Sequence, residues 1–218
     1  MKAKTYLLGL IAIVVLAGIF WYADWSKNGV NNKTASIAGQ GNTTTDDVDV
    51  SAFAVDGDII LGNPEAPVTM IEYSSHLCSH CVNFHINILP ILIDKYVQTG
   101  QLKIISRLVS PVELSSAVLC ANEQNSFYRF DDYLFNHIQE VASIDDVKAI
   151  AGKLGLNQEI FDACYEAEKY DDQIKGWFDQ AEADGVTGTP TFFINGEEII
   201  GNRTLDVFES TIDKYLNQ

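Results

Sequence analysis

Positive charge is what this chain has least of. Fourteen lysines and arginines face thirty aspartates and glutamates over 218 residues, a formal net charge of −16. Lys2, Lys4 and Lys27 against Asp24 leave residues 1–28 at +2, so a net −18 falls on the rest. A body that acidic repels phosphate backbones and excludes nucleic-acid binding as its main business. Cysteine is also sparse: there are four, with only one CxxC pair, so no paired CxxC zinc site can form. Val82 rather than histidine follows Cys81, which excludes covalent haem attachment. No internal repeat is present. What is abundant is apolar: 47% hydrophobic residues against 20% charged support a packed core, and the length suits one domain plus an appendage.

Charge is absent altogether from Thr5 to Ala23. Nineteen residues make roughly 28 Å of helix, close to the hydrocarbon thickness of a bilayer. Lys2 and Lys4 precede the run, and Trp21, Tyr22 and Trp25 cluster at its far end. This reads as an N-terminal transmembrane helix, residues 1–25, with its start in the cytoplasm and everything after Asp24 outside. The alternative is a cleaved signal sequence; Val15 and Ala17 fit a cleavage site, but the apolar run continues past them. No cysteine follows the run, so a lipoprotein anchor is excluded. Both readings deliver the rest to an oxidising compartment: membrane-anchored in a bacterial cell envelope, or periplasmic or secreted after cleavage. Residues 26–52, rich in Asn, Thr, Ser, Gly and Asp, read as a flexible polar tether. The domain is expected over 53–218.

Within it, Val68–Tyr73 is a β-branched-rich run after Pro64 and Pro67, and reads as a strand. From Ser79 apolar residues recur at helical spacing, with a kink expected at Pro90 and an end at Gly100. Leu102–Val109 reads as a second strand. Residues 112–185 are helical in pattern, with breaks expected near Ser143, Gly152 and Gly155-Leu156-Asn157. Asn195-Gly196 marks a hairpin between Thr191–Ile194 and Glu197–Ile200, and Leu205–Leu216 closes as an amphipathic helix. The expected order is β–α–β, a helical block, then β–β–α.

The chemistry centres on Cys78-Ser79-His80-Cys81, at a strand-to-helix junction. A thiolate carries out disulfide exchange, and a cysteine at a helix N-terminus meets free amides and the positive end of the dipole. Cys78 is therefore the exposed attacking sulfur, and Cys81, one turn in, resolves the mixed disulfide. A protonated His80 near Cys78 would stabilise the thiolate further. A stabilised thiolate stabilises the reduced form, so the oxidised form becomes a strong disulfide donor. The competing reading is a zinc or copper site built from Cys78, Cys81 and the nearby His76, His80 and His85. Taken singly, His76 and His85 read as surface or helix-face residues.

The strand–CxxC–helix unit, followed far downstream by Gly188-Thr189-Pro190-Thr191 before a strand, resembles the thioredoxin superfamily. More closely it resembles the DsbA family of exported thiol:disulfide oxidoreductases, over about Gly57 to Leu216. That resemblance implies an α/β thioredoxin fold with an inserted α-helical domain, about 112–185. It implies that Pro190 is a cis-proline facing the CxxC, with Thr189 offering backbone groups to a substrate chain along an unpaired strand edge. It also implies a buried acid at Glu72, placed to accept the Cys81 proton; the competing reading is a surface residue at the strand end. Ser79 stands where the family usually has proline.

With Cys78 and Cys81 paired internally, Cys120 and Cys164 remain for each other. A structural disulfide is the favoured reading, and it resembles one found in part of the family; a redox relay to Cys78 and two free buried thiols are the alternatives. The expected function is donation of the Cys78–Cys81 disulfide to reduced, unfolded client proteins, with a membrane-bound partner reoxidising the pair. No cofactor is called for, and a monomer is expected. A disulfide isomerase or reductase is the same-class alternative, and a metal-binding thioredoxin-like chaperone the other.

Overall fold

A computed structural model of the protein describes residues 57–218. The Thr5–Ala23 run and the 26–52 segment lie outside the described residues. Among the described residues no helix is long and apolar enough to cross a membrane.

The strands are β1 (Ile60–Leu61), β2 (Val68–Ser75), β3 (Leu102–Ser110), β4 (Thr191–Ile194) and β5 (Glu197–Ile200). They form one sheet in the order β1-β3-β2-β4-β5. β2 runs parallel to β3 and antiparallel to β4, while β4 pairs antiparallel with β5. β2 is buried at every position, as a central strand covered on both faces must be. Its alternation sorts side chains between those faces. Val68 and Met70 pack with Phe84, Leu92, Phe192 and Phe208, whereas Ile71 and Tyr73 pack with Ala181 and Phe193. Glu72 and Ser74 therefore continue the Val68–Met70 face, toward the helix that follows β2.

That helix is α1 (Ser79–Asn87), followed by a short α2 (Leu89–Leu92) and a π-helical turn over Ile93–Val97. One helix kinked at Pro90 was expected. The break instead falls at Ile88, because Pro90 has no N–H to continue the ladder and starts a new turn at its N-terminal end. Gly100, at φ +74°, ends the segment as expected.

The helical block comprises α3 (Val112–Asn122), α4 (Phe127–His137), α5 (Ile144–Lys153), α6 (Gln158–Glu166) and α7 (Asp171–Ala183). Ser143 and Asn157 do break it, each capping the next helix: Ser143 Oγ accepts from Asp146 N at 3.3 Å, and Asn157 Oδ1 from Ile160 N at 3.1 Å. Gly152 lies in the last turn of α5, which ends one residue later at Lys153. The block has its own core, to which Phe130, Leu134, Phe161, Trp177 and Cys120 belong.

The hairpin turns at Asn195 (φ 45°) and Gly196 (φ 85°), the positive-φ pair that a two-residue turn needs. Asn195 also docks it on β2, accepting from Thr69 N at 2.8 Å. α8 (Leu205–Leu216) lays Phe208 and Ile212 against the sheet. The architecture is a thioredoxin-like α/β fold with a helical insertion, plus one strand the pattern did not reveal, β1, antiparallel to β3.

Candidate functional site

Cys78 stands at the N-cap of α1, immediately beyond the end of β2. It is half-buried, Cys81 is fully buried, and neither is disulfide-bonded. Thr189-Pro190 is a cis peptide, and Cys78 Sγ donates to the Thr189 carbonyl oxygen at 3.2 Å. The fold thus brings the CxxC turn and the Thr189-Pro190 segment, 111 residues apart, into contact. The unpaired edge is shorter than expected. β4 pairs on both sides from Thr191 onward, and Gly201 N binds the Pro190 carbonyl at 2.8 Å. Only the turn before β4 is left to receive a peptide.

The two sulfurs differ in electrostatics. Burial alone would raise the Cys78 pKa, but it is outweighed, and the pKa falls below the ordinary cysteine value. The lowering comes from the Cys81 amide first, then the Cys81 thiol, Thr189 and the His80 amide, which favour a charge on the Cys78 sulfur. A sulfur anion at the N-cap takes the accepting role that a capping oxygen has elsewhere, beside the free amides of the first turn. His80 contributes through its backbone, and its side chain is exposed. Cys81 goes the other way. Burial pushes its pKa up to about 12, helped by the Glu72 charge and the Cys78 thiol, against the Ser74 hydroxyl and the Ser75 amide. This asymmetry suits Cys78 to attack and be attacked, and Cys81 to hold a proton until a base removes it.

Beneath Cys81 lies a buried polar cluster that the sequence reading missed in part. Glu72 is fully buried, not a strand-end surface residue, and its Oε1 lies 2.9 Å from His85 Nε2. His76 Nε2 lies 2.8 Å from Asp131 Oδ1, and His85 Nδ1 lies 3.9 Å from Asp131 Oδ2. His76 and His85 are therefore core residues, His85 on the buried face of α1, which corrects the surface half of the surface-or-helix-face reading. Burial opposes a charge on His85, yet Glu72 first, then Asp131 and Asp132, raise its pKa above the ordinary value. Phe135 stacks on His85 with ring centres 3.6 Å apart and leans on His76 at 4.4 Å. A metal site needs these imidazoles to face the sulfurs; each is turned to a carboxylate instead. Among the described residues no group of three or more His, Cys, Asp or Glu side chains is arranged to hold a metal ion.

Cys120 in α3 and Cys164 in α6 are joined by a disulfide. Both are buried in the core of the insert. A second cis peptide, Ser110-Pro111, leads from β3 into α3. Pro111 lines a hollow with the exposed Leu77 and Ile144, near the CxxC turn.

Comparison with known proteins agrees with this geometry. The thioredoxin family profile matches residues 54–214. A Rickettsia felis protein named for protein-disulfide oxidoreductase activity is 29% identical over 202 residues, covering 86% of this chain and 72% of the relative. Disulfide bond formation protein D of Bacillus subtilis is 24% identical over 201 residues, covering 85% of this chain and 86% of that protein. The crystal structure of alpha-DsbA1 from Wolbachia pipientis superposes with a TM-score of 0.69 at 28% identity, covering 75% of this chain and 94% of that one.

Proposed function

We propose, from the premise that this chain belongs to the thioredoxin family and is a DsbA-like protein-disulfide oxidoreductase, that it works outside the cytoplasm as a disulfide donor to folding proteins. Thiol–disulfide exchange is its activity. The direction of that exchange, the client and the location are our reading.

The carrying observation is the inequality of the two cysteines: Cys78 lowered by donated hydrogen bonds at the N-cap, Cys81 raised by burial. A lowered Cys78 pKa stabilises the dithiol state and makes the disulfide the reactive one. In the forward direction a client thiolate attacks Cys78 Sγ. A client–Cys78 disulfide forms, the Cys78–Cys81 bond breaks, and its electron pair leaves on Cys81, which takes up a proton. A second client thiolate attacks the client sulfur of the mixed disulfide and expels Cys78 as thiolate. The client leaves oxidised and the enzyme leaves as dithiol. The turn at Gly188–Pro190 holds the extended client beside Cys78 while this happens. Reoxidation of the dithiol falls to a membrane-bound partner.

The uncharged run Thr5–Ala23 supports an anchor or an export signal, and the polar stretch 26–52 supports a tether that keeps the domain near that partner. Cys120–Cys164 acts as a structural cross-link within the insert rather than as a relay.

The test is oxidative folding. The oxidised protein, mixed with a reduced, unfolded client that needs disulfides for its own activity, restores that activity, and Cys78→Ser does not. Equal client recovery with wild type and Cys78→Ser would remove the CxxC pair from the reaction.

A further inference from the structure

The Cys81 proton has to cross a sealed core. Cys81 and Glu72 are both fully buried, so neither exchanges protons with solvent directly. One oxygen of Glu72, Oε1, is held by His85, and the other, Oε2, is buried with no hydrogen-bond partner among the described residues. Glu72 shares its face of β2 with Ser74, and the Glu72 charge acts directly on the Cys81 thiol. An unpaired carboxylate oxygen in such a place costs free energy unless it has a use.

On the far side of Glu72 the surroundings change. His85 and Asp131 form part of the wall of an open cavity of about 240 Å³, together with Asp94, Tyr128 and Asp132. Asp94 and Asp132 are exposed at its surface. His85 thus has one nitrogen on Glu72 and the other toward Asp131, the cavity side. Asp131 is fixed from behind by His76, and Phe135 fixes the plane of the His85 ring. Imidazole is the one side chain that can accept a proton on one nitrogen and release another from the second at near-neutral pH.

We propose that His85 is a proton-positioning residue for the dithiol, carrying the Cys81 proton between Glu72 and the cavity walled by Asp94, Asp131 and Asp132. The proposal rests on Cys81 being the leaving and resolving sulfur, as in the proposed function. When the Cys78–Cys81 bond breaks, His85, carrying its proton on Nε2, takes a proton from the cavity at Nδ1 and passes its Nε2 proton to Glu72 Oε1, and Glu72 delivers a proton to the Cys81 thiolate. The products are a Cys81 thiol, ionised Glu72 and neutral His85 with its proton on Nδ1, the tautomer that the reverse sequence resets. One proton moves and no electrons are gained or lost beyond the exchange itself. The reverse sequence frees the Cys81 thiolate for attack on Cys78. The groups facing His85 are Glu72 on β2, Asp131, Asp132 and Tyr128 on α4, and Asp94 on the π turn; His76 acts on it through Asp131.

The test separates two steps in the reduced full chain mixed with glutathione disulfide. First Cys78 attacks and becomes a glutathione mixed disulfide; then Cys81 attacks Cys78 Sγ and releases glutathione thiolate. Acid-quenched samples read both by mass across pH 6 to 8.5. In His85→Gln, which keeps a hydrogen bond to Glu72 but does not titrate, the first step stays within about twofold. The second slows roughly tenfold or more, on the scale of lost general acid–base help, and loses its dependence on pH near neutrality. In His85→Ala, imidazole added to the solution restores the second step by entering from the cavity. Slowing of both steps alike, slowing of neither, or a slow second step that imidazole leaves unchanged overturns the relay. A wild type that never resolves its mixed disulfide removes the resolving role of Cys81, and the relay falls with it. A wild type that resolves beside an unimpaired His85→Gln removes the relay alone.

Discussion

Cys78 Sγ and the Thr189 carbonyl oxygen meet at 3.2 Å, one residue before a cis-proline. That contact joins the N-terminus of α1 to the entry of β4, so the reactive sulfur and the backbone turn beside it are held in one geometry. It is also where the two halves of a peptide-binding site for disulfide chemistry have to converge: a sulfur to exchange with, and main chain to hold the partner in line.

The division of labour between the cysteines predicts different failures. Cys78→Ser abolishes exchange, because no nucleophile replaces the N-cap thiolate. Cys81→Ser still forms a mixed disulfide with a client but does not resolve it internally, so the covalent complex accumulates. Non-reducing electrophoresis and mass measurement of the trapped species check this. An equal population of trapped complex in the two variants contradicts the assignment.

A lowered Cys78 pKa also predicts how stability depends on pH. In the folded reduced protein Cys78 ionises below its unfolded value. The stabilisation is therefore full above the unfolded thiol pKa and is lost as pH falls through the folded one. Urea unfolding of the reduced protein should show wild type gaining on Cys78→Ser as pH rises from 5 to 9. Thiolate absorbance at each pH gives the folded titration independently. A stability difference that does not change with pH counts against a stabilised thiolate.

His85 carries the opposite sign. Its folded pKa is raised by Glu72 and Asp131. The stabilisation is complete below the unfolded histidine pKa and disappears as pH rises through the folded one. His85→Ala, which leaves the fully buried Glu72 without its partner, should cost about 3–5 kcal/mol on the acid side of that range. The deficit should shrink toward alkaline pH, read from denaturant midpoints at pH 5.5 and 8.5. A deficit constant over that range means the pair is held as neutral groups.

The Cys120–Cys164 disulfide closes a loop with a sequence separation of 44 residues between α3 and α6. Replacing both with alanine should lower stability by about 3–4 kcal/mol in the chain-entropy account. The rate of client oxidation by the folded fraction should stay within about twofold. Loss of oxidation with full stability retained would instead make this pair a relay.

Much of this was legible in the sequence, for identifiable reasons. Cys78, Cys81 and the Thr189-Pro190 step carry local signals, since a CxxC at a strand-to-helix junction and a Gly-Thr-Pro-Thr before a strand depend on near neighbours. Ser143 and Asn157 announce helix starts because capping is a one-turn interaction. β1 was not legible: two residues cannot display a period of two. The polar cluster was only half legible. The buried acid at Glu72 came from the resemblance, and its partner His85 is 13 residues away on another element. Asp131 is 55 residues from His76 and carries no sequence signal of pairing. Buried histidines look like surface histidines until the fold brings carboxylates to them. The interruption at Pro90 was legible, but its position was not: the break falls two residues earlier, at Ile88, because the proline begins the next turn.

The central claim is that the folded site favours the dithiol and so donates its disulfide. Its most direct test is the reduction potential of Cys78–Cys81 in the full chain, by equilibration against glutathione buffers at pH 7 with the two redox forms separated by mass after acid quench. The account predicts a potential above about −200 mV, on the oxidising side of most glutathione poises. A value near or below about −270 mV, where thioredoxin lies, would mean the pair prefers its disulfide, and the protein would have to be read as a reductase.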